Sequence, residues 1–141
     1  MNNNQLELWK NLKSDNTLMQ VQQYIKDVIT LRGFSEQNIE KTMLLLTEEI
    51  GELAKSIRKE KTSMSIDETK IKNYDTVENE IADVFIVLCS ICNQLNIDLF
   101  SALKDKEKEA LKKELCIEKE EVEFIKEKGF WYPNINNNNG F

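Results

Sequence analysis

The chain has 141 residues, a formal net charge of −6 and no histidine. That length fits one domain, and an acidic balance without a long basic run argues against nucleic acid and anionic membrane as partners. Without histidine, Ser and Cys triads, the usual zinc sites and the Glu-x-x-His sites of di-iron bundles are out of reach, so any catalysis rests on carboxylates, lysines, hydroxyls or thiols.

Only four Gly and one Pro, with 31% charged residues, favour helix over sheet. No stretch nears the roughly 18 apolar residues of a membrane span. The polar start MNNNQ does not read as a signal peptide, and the expected location is cytoplasmic. Residues 1–14 read as a polar arm with an amphipathic patch at Leu6, Leu8 and Trp9. Residues 15–115 read as a helical domain. Its first helix, about 16–32, carries Leu18, Val21, Ile25, Val28 and Ile29 on one stripe. Gly33 follows, where a left-handed C-cap belongs. Together Ile25, Val28, Ile29 and Leu31 spread over more than one face, which a lone unit leaves wet. Ser35 offers an N-cap to a second helix, about 36–59, with stripe Ile39, Met43, Leu46, Ile50, Leu53 and Ile57.

A polar connection, 60–75, leads to a third helix at about 76–95, for which Asp75 and Glu78 form a capping box. Its stripe is Val77, Ile81, Val84, Phe85, Leu88, Cys92 and Leu95. Asn96 ends it, and Asp98 caps a fourth helix at about 99–115. Residues 116–133 read as a helical extension, with a short helix near 118–128. The Asn-rich tail 134–141 reads as disordered. The three cysteines, Cys89, Cys92 and Cys116, read as free thiols. Cys89-Ser-Ile-Cys92 is mid-helix, far from the helix N-terminus that activates redox pairs, and is expected to pack in the core.

The acids are more informative. With the second helix's stripe centred at zero, Glu49 lies at about −80° and Glu52 at about −140°, whereas Glu48 points away. With Ile81 of the third helix at zero, Glu80 lies near −100° and Asp83 near −160°, counted at about 100° per residue. Each helix thus carries an i, i+3 acid pair on the same flank of its stripe. An antiparallel packing of the two brings the four carboxylates beside one seam. Such a gathering raises each group's pKa unless a cation relieves it, and all-oxygen donors suit Mg²⁺ or Mn²⁺. Either pair alone is also a common solvated pattern, so both readings stand on geometry.

The segment Leu46-Thr47-Glu48-Glu49-Ile50-Gly51-Glu52-Leu53, followed by Glu80-Ile81-Ala82-Asp83, resembles the Glu-Glu-x-x-Glu and Glu-x-x-Asp signature of MazG-like nucleoside triphosphate pyrophosphohydrolases. The likeness continues through Asp83-Val84-Phe85-Ile86 to Asn96-Ile97-Asp98-Leu99 and covers about residues 17–112. It implies an all-α, four-helix bundle unit, here with an extra C-terminal helix, that associates through helices as a homodimer or dimer of dimers. It also implies Mg²⁺-dependent cleavage of a nucleoside triphosphate to monophosphate and pyrophosphate, with Glu49, Glu52, Glu80 and Asp83 as metal ligands and Glu48 as a nearby acid or base. Lys55, Arg58 and Lys106 are candidates for phosphate, although each is also an ordinary solvated helix charge. The family's Lys-x-x-x-Asn on the fourth helix is only half present, since Lys106 is followed by Ala110. A non-catalytic helical dimer that binds a cation or nucleotide is the rival reading.

Overall fold

In the computed structural model, which describes residues 3–35, 37–64 and 75–115, the described chain forms five α-helices and no strand. They are α1 (Asn3–Asn11), α2 (Leu18–Leu31), α3 (Ile39–Lys61), α4 (Val77–Gln94) and α5 (Leu99–Leu115). The expected helix near 118–128 and the tail 134–141 lie outside the described residues. The segment read as an arm contains α1, which packs on α2. The chain divides after Leu99 into two compact units, α1 to α4 in the first and α5 in the second.

Local chemistry sets the ends. Thr17 accepts from the Gln20 amide at 3.2 Å while the Gln20 side chain accepts from the Thr17 amide at 2.8 Å, a capping box at α2. Gly33 has φ +79°, and the Phe34 and Gly33 amides bond back to Ile29 and Thr30 carbonyls at 3.0 Å. This is a Schellman end, as the glycine implies. Asn96 performs the same role after α4 at φ 55°, with Ile97 bonded to Cys92 O at 2.8 Å. Two expected caps move. Asn38 replaces Ser35 at α3, accepting from the Lys41 amide at 3.0 Å, because the Gln37 amide first bonds back to the Phe34 carbonyl. Thr76 replaces Asp75 at α4. Asp75 instead binds the Asn79 side chain at 2.8 Å and the Thr76 amide at 2.7 Å, and these bonds hold its carboxyl below the usual range.

The first unit is built around α4, which packs on α3 and on α2. Hydrogen bonds from Gln94 to Thr42 and from Ser56 to the Asp75 carbonyl join opposite ends of α3 and α4, so the pair is antiparallel. The buried apolar core is Ile25, Val28, Val87, Cys89, Ile91 and Cys92. Gln22 is buried among them with its amide satisfied: it donates to Asn93 and Ile97 O and accepts from the Leu99 amide. A saturated amide of this kind costs little to bury.

The packed face of α3 differs from its apolar stripe. Its buried residues are Thr42 and Ser56, and Glu49 lies midway between them, seven residues from each and within about 20° of one line. Met43, Ile50 and Ile57, placed in the stripe, are exposed about 80–120° away. The expected face is therefore rotated by about 80° toward the acids. Likewise α4 buries Glu80, Val87 and Ile91 while Ile81, Leu88 and Leu95 are exposed. Apolar content marks the wrong face because Thr42 and Ser56 spend their hydroxyls on hydrogen bonds and tolerate burial. Of the apolar residues expected to leave α2 partly wet, Ile25 and Val28 are buried, whereas Leu31 is exposed.

In α5, Lys112 and Lys113 occupy the last turn, where cations suit the helix dipole, and Lys112 pairs with Glu109 at 3.0 Å.

Cys89 is fully buried, and burial pushes its thiol up to about 11. Cys89→Ala is expected to lower unfolding stability by about 1–2 kcal/mol in urea melts through the cavity left behind. The native Cys89 thiol is expected to resist alkylation at pH 8 until denaturant is added, which peptide mapping reads directly.

Candidate metal centre

The α3–α4 seam has hydrogen bonds at both ends and acids between. At one end Gln94 Nε2 donates to Thr42 Oγ1 at 2.8 Å; at the other Ser56 Oγ donates to Asp75 O at 2.9 Å. Between them Glu49 of α3 meets Glu80 and Asp83 of α4, with one carboxylate oxygen of each within 4.8 Å of the others. Glu80 is only 5% exposed, Glu49 is half-buried, and Asp83 opens to solvent.

The electrostatics follow from that crowding. The Glu49 carboxyl is raised above its ordinary range by burial first, then by Asp83, Glu80, Glu48 and Glu52. The Glu80 carboxyl is raised by burial first, then by Asp83, Glu52 and Asp75, against which a backbone hydrogen bond from Asp75 works. Both groups gain from a cation, and the donors are all oxygen, which fits a hard divalent ion at this position.

The other candidate residues fall at varied places. Glu52 is one turn from Glu49 and near enough to act on both raised acids, but its carboxylate accepts from Lys55 Nζ. Both partners are more than 40% exposed, so breaking this i, i+3 pair costs about 0–1 kcal/mol. Glu48 is exposed and lies about 100° round the helix from Glu49. Arg58 lies about 180° from Glu49 and some six residues beyond Glu52, on the far side of α3 from the seam. Its Nε is buried without a hydrogen-bond partner. Lys106 is exposed on α5, in the second unit. Thr42, Ser56, Asp75 and Gln94, which frame the acids, carry no motif. The seven-residue spacing of Thr42, Glu49 and Ser56 is the one sequence signal that marks them.

Among the described residues the chain is all-helical, with a trio of carboxylates across two antiparallel helices that could hold a metal ion. Residues 37–114, more than half of the chain, match the family described as the MazG nucleotide pyrophosphohydrolase domain. The chain belongs to this family, whose members act on nucleotide pyrophosphate bonds and usually use a divalent metal. No curated protein and no solved structure matches it.

The raised acids fix the sign of a pH effect. A carboxyl whose folded pKa is raised keeps its proton longer in the folded than in the unfolded chain, so stability falls as pH rises through that interval. Lowering the pH from 7 toward the ordinary value of 4.5 should therefore restore stability to the metal-free protein. Glu80→Gln removes part of this dependence. Melting curves in EDTA at pH 7 and pH 5.5 are expected to show the variant at least as stable as wild type at pH 7, with the gap narrowing at the lower pH.

Proposed function

We propose that this chain is an Mg²⁺-dependent pyrophosphohydrolase, with Mn²⁺ as a substitute, that cleaves a ribo- or deoxyribonucleoside triphosphate to the monophosphate and pyrophosphate. A house-cleaning role toward non-standard nucleotides fits this chemistry, and the nucleotide substrate places the reaction in the cytoplasm. The observation that carries the reading is the convergence of Glu49, Glu80 and Asp83 inside the segment that matches the family. These three residues would hold the ion, and Glu52, turned from Lys55, would stand beside it as the fourth acid. Magnesium held there would screen the triphosphate charge and lower the pKa of water at the site. Glu52 orients the attacking water and accepts its proton as the water oxygen bonds to the α-phosphorus. The bond from that phosphorus to the bridging oxygen breaks, and pyrophosphate leaves with the bonding pair. Glu48 acts through space by raising the Glu49 pKa. Lys55, beside Glu52, offers phosphate a cation. Lys106 is assigned to phosphate on its motif position alone, and Arg58, turned away from the acids, is assigned to no phosphate.

Pyrophosphate release from a nucleotide panel, with Mg²⁺ and with EDTA, tests the reaction. Asp83→Asn is expected to lose at least 99% of turnover. Millimolar Mg²⁺ is expected to raise the melting temperature of wild type, because it binds the folded form, and to do so much less in the variant. A magnesium-linked melting shift without pyrophosphate release from any nucleotide would favour the non-catalytic binding protein instead.

The same reading includes a homo-oligomer. Met43, Ile50 and Ile57 on α3, Ile81 and Leu88 on α4 and Leu95 at the α4 C-cap are exposed at seven-residue intervals. Equal offsets on an antiparallel pair fall on one side of it, so the six side chains form a single apolar face opposite the acids. A second copy of the chain covers this face in a dimer or dimer of dimers. Sedimentation at micromolar concentration is expected to show the oligomer, and the double variant Ile50→Glu, Leu88→Glu is expected to sediment as a monomer.

A further inference from the structure

A cavity of about 140 Å³ opens between α2 and α4. It lies on the acid side of α4. Asp83, Ser90 and Gln94 share one flank of that helix, within about 40° of one another, and Ser90 is roughly 10 Å along the axis from Asp83. A nucleotide held by its phosphates at the acids would extend its base along this flank. A space of about 150 Å³ admits one ring of benzene size, and Phe34, half-exposed at the wall, offers a face for stacking.

The hydrogen-bond directions around the cavity agree with one another. Thr42 Oγ1 donates its only hydrogen to Asn38 O at 3.1 Å, so it can only accept from Gln94, whose Nε2 lies 2.8 Å away. That fixes the Gln94 amide and leaves its Oε1 buried with no partner. The Ser90 hydroxyl hydrogen is spent on Ile86 O, and that of Thr30 on Lys26 O, both at 2.9 Å. Gln94, Ser90 and Thr30, all lining the cavity, thus carry side-chain oxygens that can only accept, and that of Gln94 is buried without a donor. Lys26 adds an ammonium donor at the wall, and Ser35 adds a hydroxyl that serves either way.

We infer that this cavity is a base subsite selecting nucleobases with an exocyclic amino group, cytosine and adenine, over their oxo counterparts uracil and hypoxanthine. The amino group donates to Gln94 Oε1 and Ser90 Oγ, and Lys26 donates to a ring nitrogen or carbonyl. An oxo base would set its carbonyl oxygen against lone pairs and leave Gln94 Oε1 buried and unpaired, the arrangement that penalises the wrong partner most. This inference rests on the proposed nucleotide reaction but is tested apart from it.

The pairs CTP with UTP and ATP with ITP differ at the amino group. The full chain is expected to favour the amino member of each by about tenfold or more in kcat/KM, in line with a lost buried hydrogen bond. Ser90→Ala, which leaves the Gln94–Thr42 bond in place, and Gln94→Leu are each expected to bring the ratio toward one. Equal rates within the pairs, or a preference unchanged in both variants, would overturn the subsite. If no nucleotide is hydrolysed, cytidine and uridine titrated into the ¹⁵N-labelled protein still decide it. Cytidine alone is expected to shift the Ser90 and Gln94 signals, and equal or absent shifts would overturn the inference while the failed hydrolysis overturns the reaction.

Discussion

Like charge held in a helix seam is the constraint on which the rest of this structure depends. Glu49 and Glu80 would each be easier to accommodate in water, and Asp83 beside them adds to the repulsion. The fold supplies what holds them there. Two hydroxyls, Thr42 and Ser56, fasten α3 to α4 on either side of the acids, and the apolar packing that stabilises α4 lies behind it, at Cys89 and Cys92 toward α2. The acids are therefore carried by contacts they do not make.

The order and most ends of α2 to α5 were legible in the residues, because Gly33, Asn96 and the long periodic runs are local signals, whereas α1 was read as part of an arm. The acids could be brought to one seam from their i, i+3 spacing and an antiparallel pairing alone. The face of each helix that packs was not legible. A stripe drawn through Met43, Ile50 and Ile57 follows the apolar side of α3, and these residues are exposed in the single chain. A helix with one polar contact and one apolar face gives a periodicity that points to the apolar face, whichever of the two packs in the same chain. Two caps were misplaced for a related reason. Ser35 and Asp75 are good cap residues by type, but the residue at which each helix begins decides which neighbour reaches the orphan amides.

The four acids of the motif do not stand alike. Three meet across the seam, and Glu52 rests on Lys55. Helical spacing fixes where a Cα lies but leaves the rotamer to local partners, and a lysine three residues away is a sufficient local partner for an exposed carboxylate. The basic residues divide in the same way. Lys55 stays near the acids, whereas half a turn of phase carries Arg58 to the opposite side of α3.

The chain of donors from Gln94 through Thr42 to the Asn38 carbonyl has a consequence for how this protein can change. Thr42 does not line the cavity, yet its single hydrogen sets which way round the amide of Gln94, a wall residue, is held. A valine there would keep the shape and remove the vote, leaving the amide able to turn its nitrogen inward. Drift at one buried hydroxyl could thus convert an acceptor wall to a donor wall without altering any residue that touches the bound molecule. Selectivity in this fold is written partly in the core, where it is inherited together with packing.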